Sequence, residues 1–105
     1  MKYIGYEELF PGKGYPLMKD NFEEEAYPEK DKIIHFLNNG EMLYARLSRA
    51  KDVFTGERIP QEVLGMTSGE YDWPNYLAWY VEKYNLRLPE DFERYILEKI
   101  QSNPG

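Results

Sequence analysis

The sequence predicts an α+β fold, a small antiparallel sheet built on a hairpin and packed against two C-terminal helices. Three observations carry that reading. Asn39-Gly40 lies between two apolar segments, and this pair favours a type I′ hairpin turn because both central residues take positive φ. Leu77, Tyr80, Val81 and Tyr84 then recur at helical spacing, and Phe92, Ile96, Leu97 and Ile100 form a second stripe behind Pro89. The chain has 105 residues, which is room for one domain around one core. It divides into an irregular segment over 1–31, a β-rich part over 32–73 and two helices over 74–101.

The N-terminal part carries turn signals at Pro11-Gly12-Lys13-Gly14, Tyr15-Pro16 and Tyr27-Pro28. Tyr6 to Phe10 suits a helical turn, and Phe22 and Ala26 suggest a short helix within Met18 to Ala26. Unstructured segments of this length are rare in compact domains, so packing through Phe10, Tyr15, Leu17 and Phe22 is expected. The hairpin reads as strands 33–37 and 42–47. Its register puts Ile34, Phe36, Leu43, Ala45 and Leu47 on a core face, and Ile33, His35, Leu37, Met42, Tyr44 and Arg46 on the other. Asp52 to Glu57 reads as a turn, Glu62 to Thr67 as a third strand, Ser68-Gly69 as a turn, and Glu70 to Trp73 as a fourth segment. Pro74 and Pro89 suit first helical positions, where the missing N–H costs nothing. Asn85 suits a left-handed helix stop. Glu90 and Asp91 favour a helix N-terminus and Lys99 a C-terminus.

Composition narrows the chemistry. The chain has no cysteine, so disulfides, thiolate metal sites and a cysteine nucleophile are excluded. No apolar run reaches the roughly 18 residues that span a membrane, and none of signal-peptide length follows the N-terminus, so a cytoplasmic location is expected. The net charge is −6. An acidic surface repels phosphate, which argues against nucleic acid and anionic lipid and suits a basic protein partner. No cofactor or metal is expected. Three adjacent acids, Glu23, Glu24 and Glu25, point in different directions and read first as a solvated run, second as a partner-facing patch. His35 is the one histidine, and no serine stands in a nucleophile-elbow context. Gly12-Lys13-Gly14 lacks the full phosphate-loop spacing. Glu57, Glu70 and Asp72 are the carboxylates a small hydrolase would use. The aromatic stretch from Tyr71 to Tyr84 reads mainly as core, with Tyr76 and Trp79 as partly exposed anchors of a binding surface.

Thr67-Ser68-Gly69-Glu70-Tyr71-Asp72-Trp73-Pro74, followed by Leu77, Tyr80-Val81, Tyr84, Leu88-Pro89 and Phe92, resembles a signature of small bacterial proteins: T-D-G-E-x-x-W-P-x-x-L-x-Y-Y-V, then L-P-x-x-F. Asp52-x-Phe54-Thr55-Gly56 and the Asn39-Gly40 turn are similar too, so the resemblance covers about residues 32–97. The sequence departs at Ser68 and Trp79, where the signature has Asp and Tyr. Such proteins are similar to immunity proteins of bacterial toxin systems. The resemblance implies a non-catalytic domain that binds a protein. The candidate binding residues are Glu23, Glu24, Glu25, Glu70, Asp72, Tyr76 and Trp79. The alternatives are a small hydrolase using paired carboxylates, and a structural module that forms homo-oligomers through Ile33, Leu37, Met42 and Tyr44.

Overall fold

A computed structural model describes residues 2–102 of the chain. The elements run β1 (Lys2–Tyr3), a 3-10 turn (Lys19–Asn21), α1 (Lys30–Asn38), β2 (Glu41–Lys51), β3 (Arg58–Thr67), β4 (Tyr71–Pro74), α2 (Leu77–Tyr84) and α3 (Glu90–Ser102). The four strands form one sheet in the order β1-β4-β3-β2. The α+β class holds, with two differences from expectation. The sheet is mixed, because β1 pairs with β4 in parallel. A third helix, α1, precedes the long hairpin.

The expected strand 33–37 is the body of α1. Four apolar residues within five positions fit either period. Here the helical one wins, because Ile33 and Leu37, four apart, are both fully buried while Lys32 and His35 are exposed. His35 is therefore a surface helix residue. Asn39-Gly40 ends this helix instead of turning a hairpin. Asn39 has φ −115° and its N–H bonds the Phe36 carbonyl, so the positive-φ pair of a type I′ turn is absent. Gly40 matters for packing instead, since a Cβ there would stand 2.7 Å from the Trp73 ring. The Trp73 indole N–H in turn donates to the Leu37 carbonyl at 3.1 Å, satisfying a helix-end acceptor and fixing α1 to β4.

The hairpin that forms is β2–β3. Its turn is the expected Asp52–Glu57 segment, with Gly56 at φ 76°. The face expected to be core is wrong for this strand. Leu43, Ala45 and Leu47 are exposed, because β2 is the sheet edge and β3 is its one main packing partner. β3 covers the expected third strand, and Gly69 turns the chain into β4 with φ 98°. Pro74 closes β4 and is not the first residue of α2, which starts at Leu77. Asn75 intervenes. Its amide accepts from Leu64 N–H and donates to the Glu62 carbonyl, taking the place of further strand along β3. The α2 stripe is as expected: Leu77, Tyr80 and Val81 are fully buried, Tyr84 is half-buried, and Asn85 ends the helix at φ 55°. α3 follows Pro89, buries Phe92 and Ile96, and carries Glu90, Asp91 and Glu93 in its first turn.

The N-terminal segment wraps the loop between α2 and α3. Residues 6–10 form the expected helical turn, with Leu9 and Phe10 N–H on the Tyr6 carbonyl. Only a 3-10 turn forms within 18–26, and Ala26 and Leu17 are exposed. Phe10, Tyr15 and Phe22 pack as expected, half-buried, the first two against Tyr3 and the third against Tyr84 and Phe54; the fully buried anchors are Ile4, Tyr6, Met18 and Tyr27. The Tyr6 and Tyr27 hydroxyls donate to the carbonyls of Arg87 and Leu86. Each phenol thus buries a ring and satisfies a loop acceptor.

Candidate functional site

The sequence candidates fall in four places. Trp79 belongs to a buried knot at the hairpin tip. Asp52 opens the β2–β3 turn, and its side chain is completely shielded from solvent. One carboxylate oxygen accepts the turn N–H groups of Phe54 at 2.8 Å and Thr55 at 3.2 Å. The other accepts the Trp79 indole N–H at 3.0 Å and the Tyr84 hydroxyl at 2.6 Å. Burial pushes the Asp52 carboxyl up, but these four donors outweigh it and hold it below the ordinary aspartate value. Lys83 stands 3.8 Å from Asp52, pairs with Glu57, and lies over the Trp79 ring at 4.9 Å. Tyr84 is held protonated: burial first, then its bond to Asp52, push its hydroxyl up to about 12. Every partner of this carboxylate is internal, so the knot fastens the hairpin tip to α2.

Asp72 and Tyr76 are brought together on the sheet face turned away from the helices. Trp73 and Met66 pair across β4 and β3 on the helix side, so Asp72, Thr67, Gly65 and Tyr3 lie on the opposite face. Tyr44 joins them from β2. Its ring lies flat over Gly65, where a Cβ would come within 2.2 Å of it, and the Arg46 guanidinium stacks over that ring at 5.4 Å. Burial, then the neighbouring Tyr76, Tyr44, Tyr15 and Asp72, raise the Tyr3 hydroxyl well above the usual phenol range. One Asp72 carboxylate oxygen is buried there with no hydrogen-bond partner.

Glu23, Glu24 and Glu25 are exposed and rim a depression whose other walls include Tyr27 and Arg87. Arg87 is bidentate to Glu93 and stacks over Tyr27 at 4.0 Å. Glu70 is exposed in the β3–β4 turn. Of the three carboxylates named for a hydrolase, Glu57 stands apart from Glu70 and Asp72, which are neighbours at the start of β4. Glu57 precedes the start of β3 and pairs with Lys83, whereas Asp72 pairs with Thr67 at the end of β3. At strand rise these positions lie about 30 Å apart, so Glu57 and Asp72 do not share a site. Among the described residues no group of three or more His, Asp or Glu side chains is placed to hold a metal ion.

The strand read at 42–47 is present as β2, but the sequence reading missed that it is a free edge. It is an 11-residue edge strand, exposed on both faces, with register irregularities between Met42 and Tyr44 and between Arg46 and Arg49. Met42 is 60% exposed, Leu43 50%, Tyr44 42% and Leu47 99%. Four large apolar side chains within six residues of one free edge form the main uncovered apolar strip of the described residues. The signal was present in the sequence: consecutive Met42, Leu43 and Tyr44 put large apolar side chains on both faces, against the alternation of a strand with one face in water.

The chain matches no family model, no curated protein and no solved structure. Its functional reading therefore rests on this geometry.

Proposed function

We propose that this chain is a non-catalytic protein-binding domain and that β2, with the tyrosine face beside it, is its binding element. The carrying observation is the free edge strand itself. Its outer edge offers backbone donors and acceptors for a further strand, and Met42, Leu43, Tyr44 and Leu47 stand in water around them. Adding a strand from a partner is a common way for such an edge to bind: backbone bonds supply affinity and alternate side chains supply specificity. Tyr44, Tyr76 and Arg46 are the residue types that dominate interface energetics. In the immunity-type form that the signature resembles, the partner is a toxin domain, held by this edge in a complex that blocks it.

The acidic run is the weaker candidate, because three solvated carboxylates offer charge without the exposed apolar side chains that β2 carries. Capture from lysate by the tagged protein, compared with Leu43→Lys and Leu47→Lys variants, tests the reading. Both positions are exposed, so folding should be retained. Loss of the same captured protein in both variants supports β2 as the site. Equal capture by all three proteins removes it.

A further inference from the structure

The cations of the hairpin carry one more step, which rests on the reading of β2 as a binding edge. β2 holds Arg46, Arg49 and Lys51 against one acid, Glu41, in a chain whose net charge is −6. β3 adds Arg58 and one acid, Glu62; the register sets Arg58 directly across from Lys51 and Glu62 across from Arg49. Like charges opposite each other on paired strands are destabilising. Among the described residues, none of these four cations forms an ion pair: the six pairs present involve Lys2, Lys83, Arg87 and Arg94. The far half of the hairpin is thus a net basic strip along a free edge, four cations against the single strand acid Glu62, with Leu47 fully exposed in its middle.

We infer that the occupant of β2 is an extended acidic segment of another protein, which adds as a strand and alternates carboxylates with aliphatic side chains. The carboxylates meet Arg46, Arg49 and Lys51 and relieve the Lys51–Arg58 repulsion. The aliphatic side chains cover Leu43 and Leu47. A second copy of this chain is a poorer fit, because its β2 would bring the same cations to the same strip. Nucleic acid is a poorer fit too, because the strip offers four cations on an otherwise acidic body and leaves the aliphatic groups uncovered.

The test is selection from a display library of random peptides of β2's own length, 11 residues, against the intact protein. The expected winners are acidic, with alternating aliphatic positions. The best of them should perturb backbone amide resonances within 41–51. Its affinity should fall on the order of tenfold with Arg46→Glu plus Arg49→Glu, and should weaken with added salt. Lys51→Glu is the control for folding: it should raise thermal stability while weakening the peptide. Basic or uncharged winners, no enrichment, tighter binding of an oligothymidylate, or concentration-dependent self-association abolished by the Arg46→Glu plus Arg49→Glu variant would each overturn the inference. Failure here, with Leu43→Lys and Leu47→Lys still abolishing capture from lysate, rejects the acidic segment and leaves β2 as the binding edge.

Discussion

Asp52 is the residue whose loss should be felt most for its size. Replacing it with Ala removes an acceptor for the Phe54 and Thr55 N–H groups, the Trp79 indole and the Tyr84 hydroxyl, and leaves Lys83 one counter-charge fewer. A hydrogen bond to a charged group is worth about 1.5–3 kcal/mol, and breaking a buried charged arrangement typically costs about 3–5 kcal/mol. The lower end applies, because Tyr84 is half-buried and its hydroxyl can turn toward water. Asp52→Ala should therefore cost about 3 kcal/mol, a large part of the roughly 5–15 kcal/mol that holds a small domain folded. Asp52→Asn should cost less, about 2 kcal/mol, since its carbonyl can still accept the two turn N–H groups. It cannot satisfy Trp79, because an amide NH2 and an indole N–H are both donors. Urea unfolding followed by circular dichroism measures both. The pH profile adds a sign. The folded state holds this carboxyl below its ordinary value of 3.8. Stability from Asp52 is therefore complete above about pH 5 and is lost as pH falls through 3.8 and below. The Asn variant should show a flatter acid limb. Variants within about 0.5 kcal/mol of the parent, with an unchanged acid limb, would refute the knot as the hairpin's fastening.

Other perturbations separate the remaining arguments. Gly40→Ala should destabilise by about 1–3 kcal/mol, because the added Cβ meets the fully buried Trp73 ring. Gly65→Ala should cost less and shift the Tyr44 resonances, because the ring it meets is 42% exposed and can move. A ranking in the opposite order in urea melts would contradict the packing of Trp73 against the end of α1. Lys51→Glu should stabilise by about 0.2–1 kcal/mol by replacing a like-charge cross-strand pair with an opposite one, read as a rise in Tm. At alkaline pH, burial first holds the Tyr80 and Tyr84 hydroxyls up to about 12 against an ordinary 10.0. The folded state then keeps protons the unfolded state has lost, so stability should fall as pH rises from 10 toward 12. Absorbance titration of phenolate should show a delayed fraction that ionises only with unfolding.

The sequence was most legible where one local rule had no rival. Asn85 as a left-handed stop, the Leu77–Tyr80–Val81 stripe and the Gly69 turn depend on neighbours within a few residues, and they formed as read. The 33–37 segment had two rules in conflict. Its four apolar residues satisfied period 2 and period 3.6 together, and Asn39-Gly40 strengthened the wrong one. What decided it was tertiary: α1 supplies Ile33 and Leu37 to a core that also needs Trp73, and Gly40 is small so that Trp73 can lie against the end of that helix. β1 was invisible for the opposite reason. Two residues pairing in parallel with a strand nearly 70 positions away leave no local pattern. Among the candidate binding residues, Asp72 and Tyr76 both lie beside Tyr3, whereas Trp79 joins the Asp52 knot. Helical spacing alone puts the Trp79 tip at the surface; it could not show that the indole N–H already has an internal acceptor.

The Asp52 knot also explains why β2 is free. A long two-stranded ribbon is unstable by itself unless one face is packed. Here β3 makes that contact, burying Ile59, while Asp52, Tyr80 and Tyr84 fasten the turn to α2. With both ends of the hairpin secured, β2 needs no partner on its outer edge to stay a strand. Its irregularities at 42–44 and 46–49 are a common protection against indiscriminate edge pairing. Arg46, Arg49 and Lys51 add charge repulsion against like partners. An edge protected in this way and yet carrying Leu43 and Leu47 in water is selective instead of inert. It resists chains that cannot supply both compensating charge and apolar cover, and that selectivity is what the peptide selection reads out.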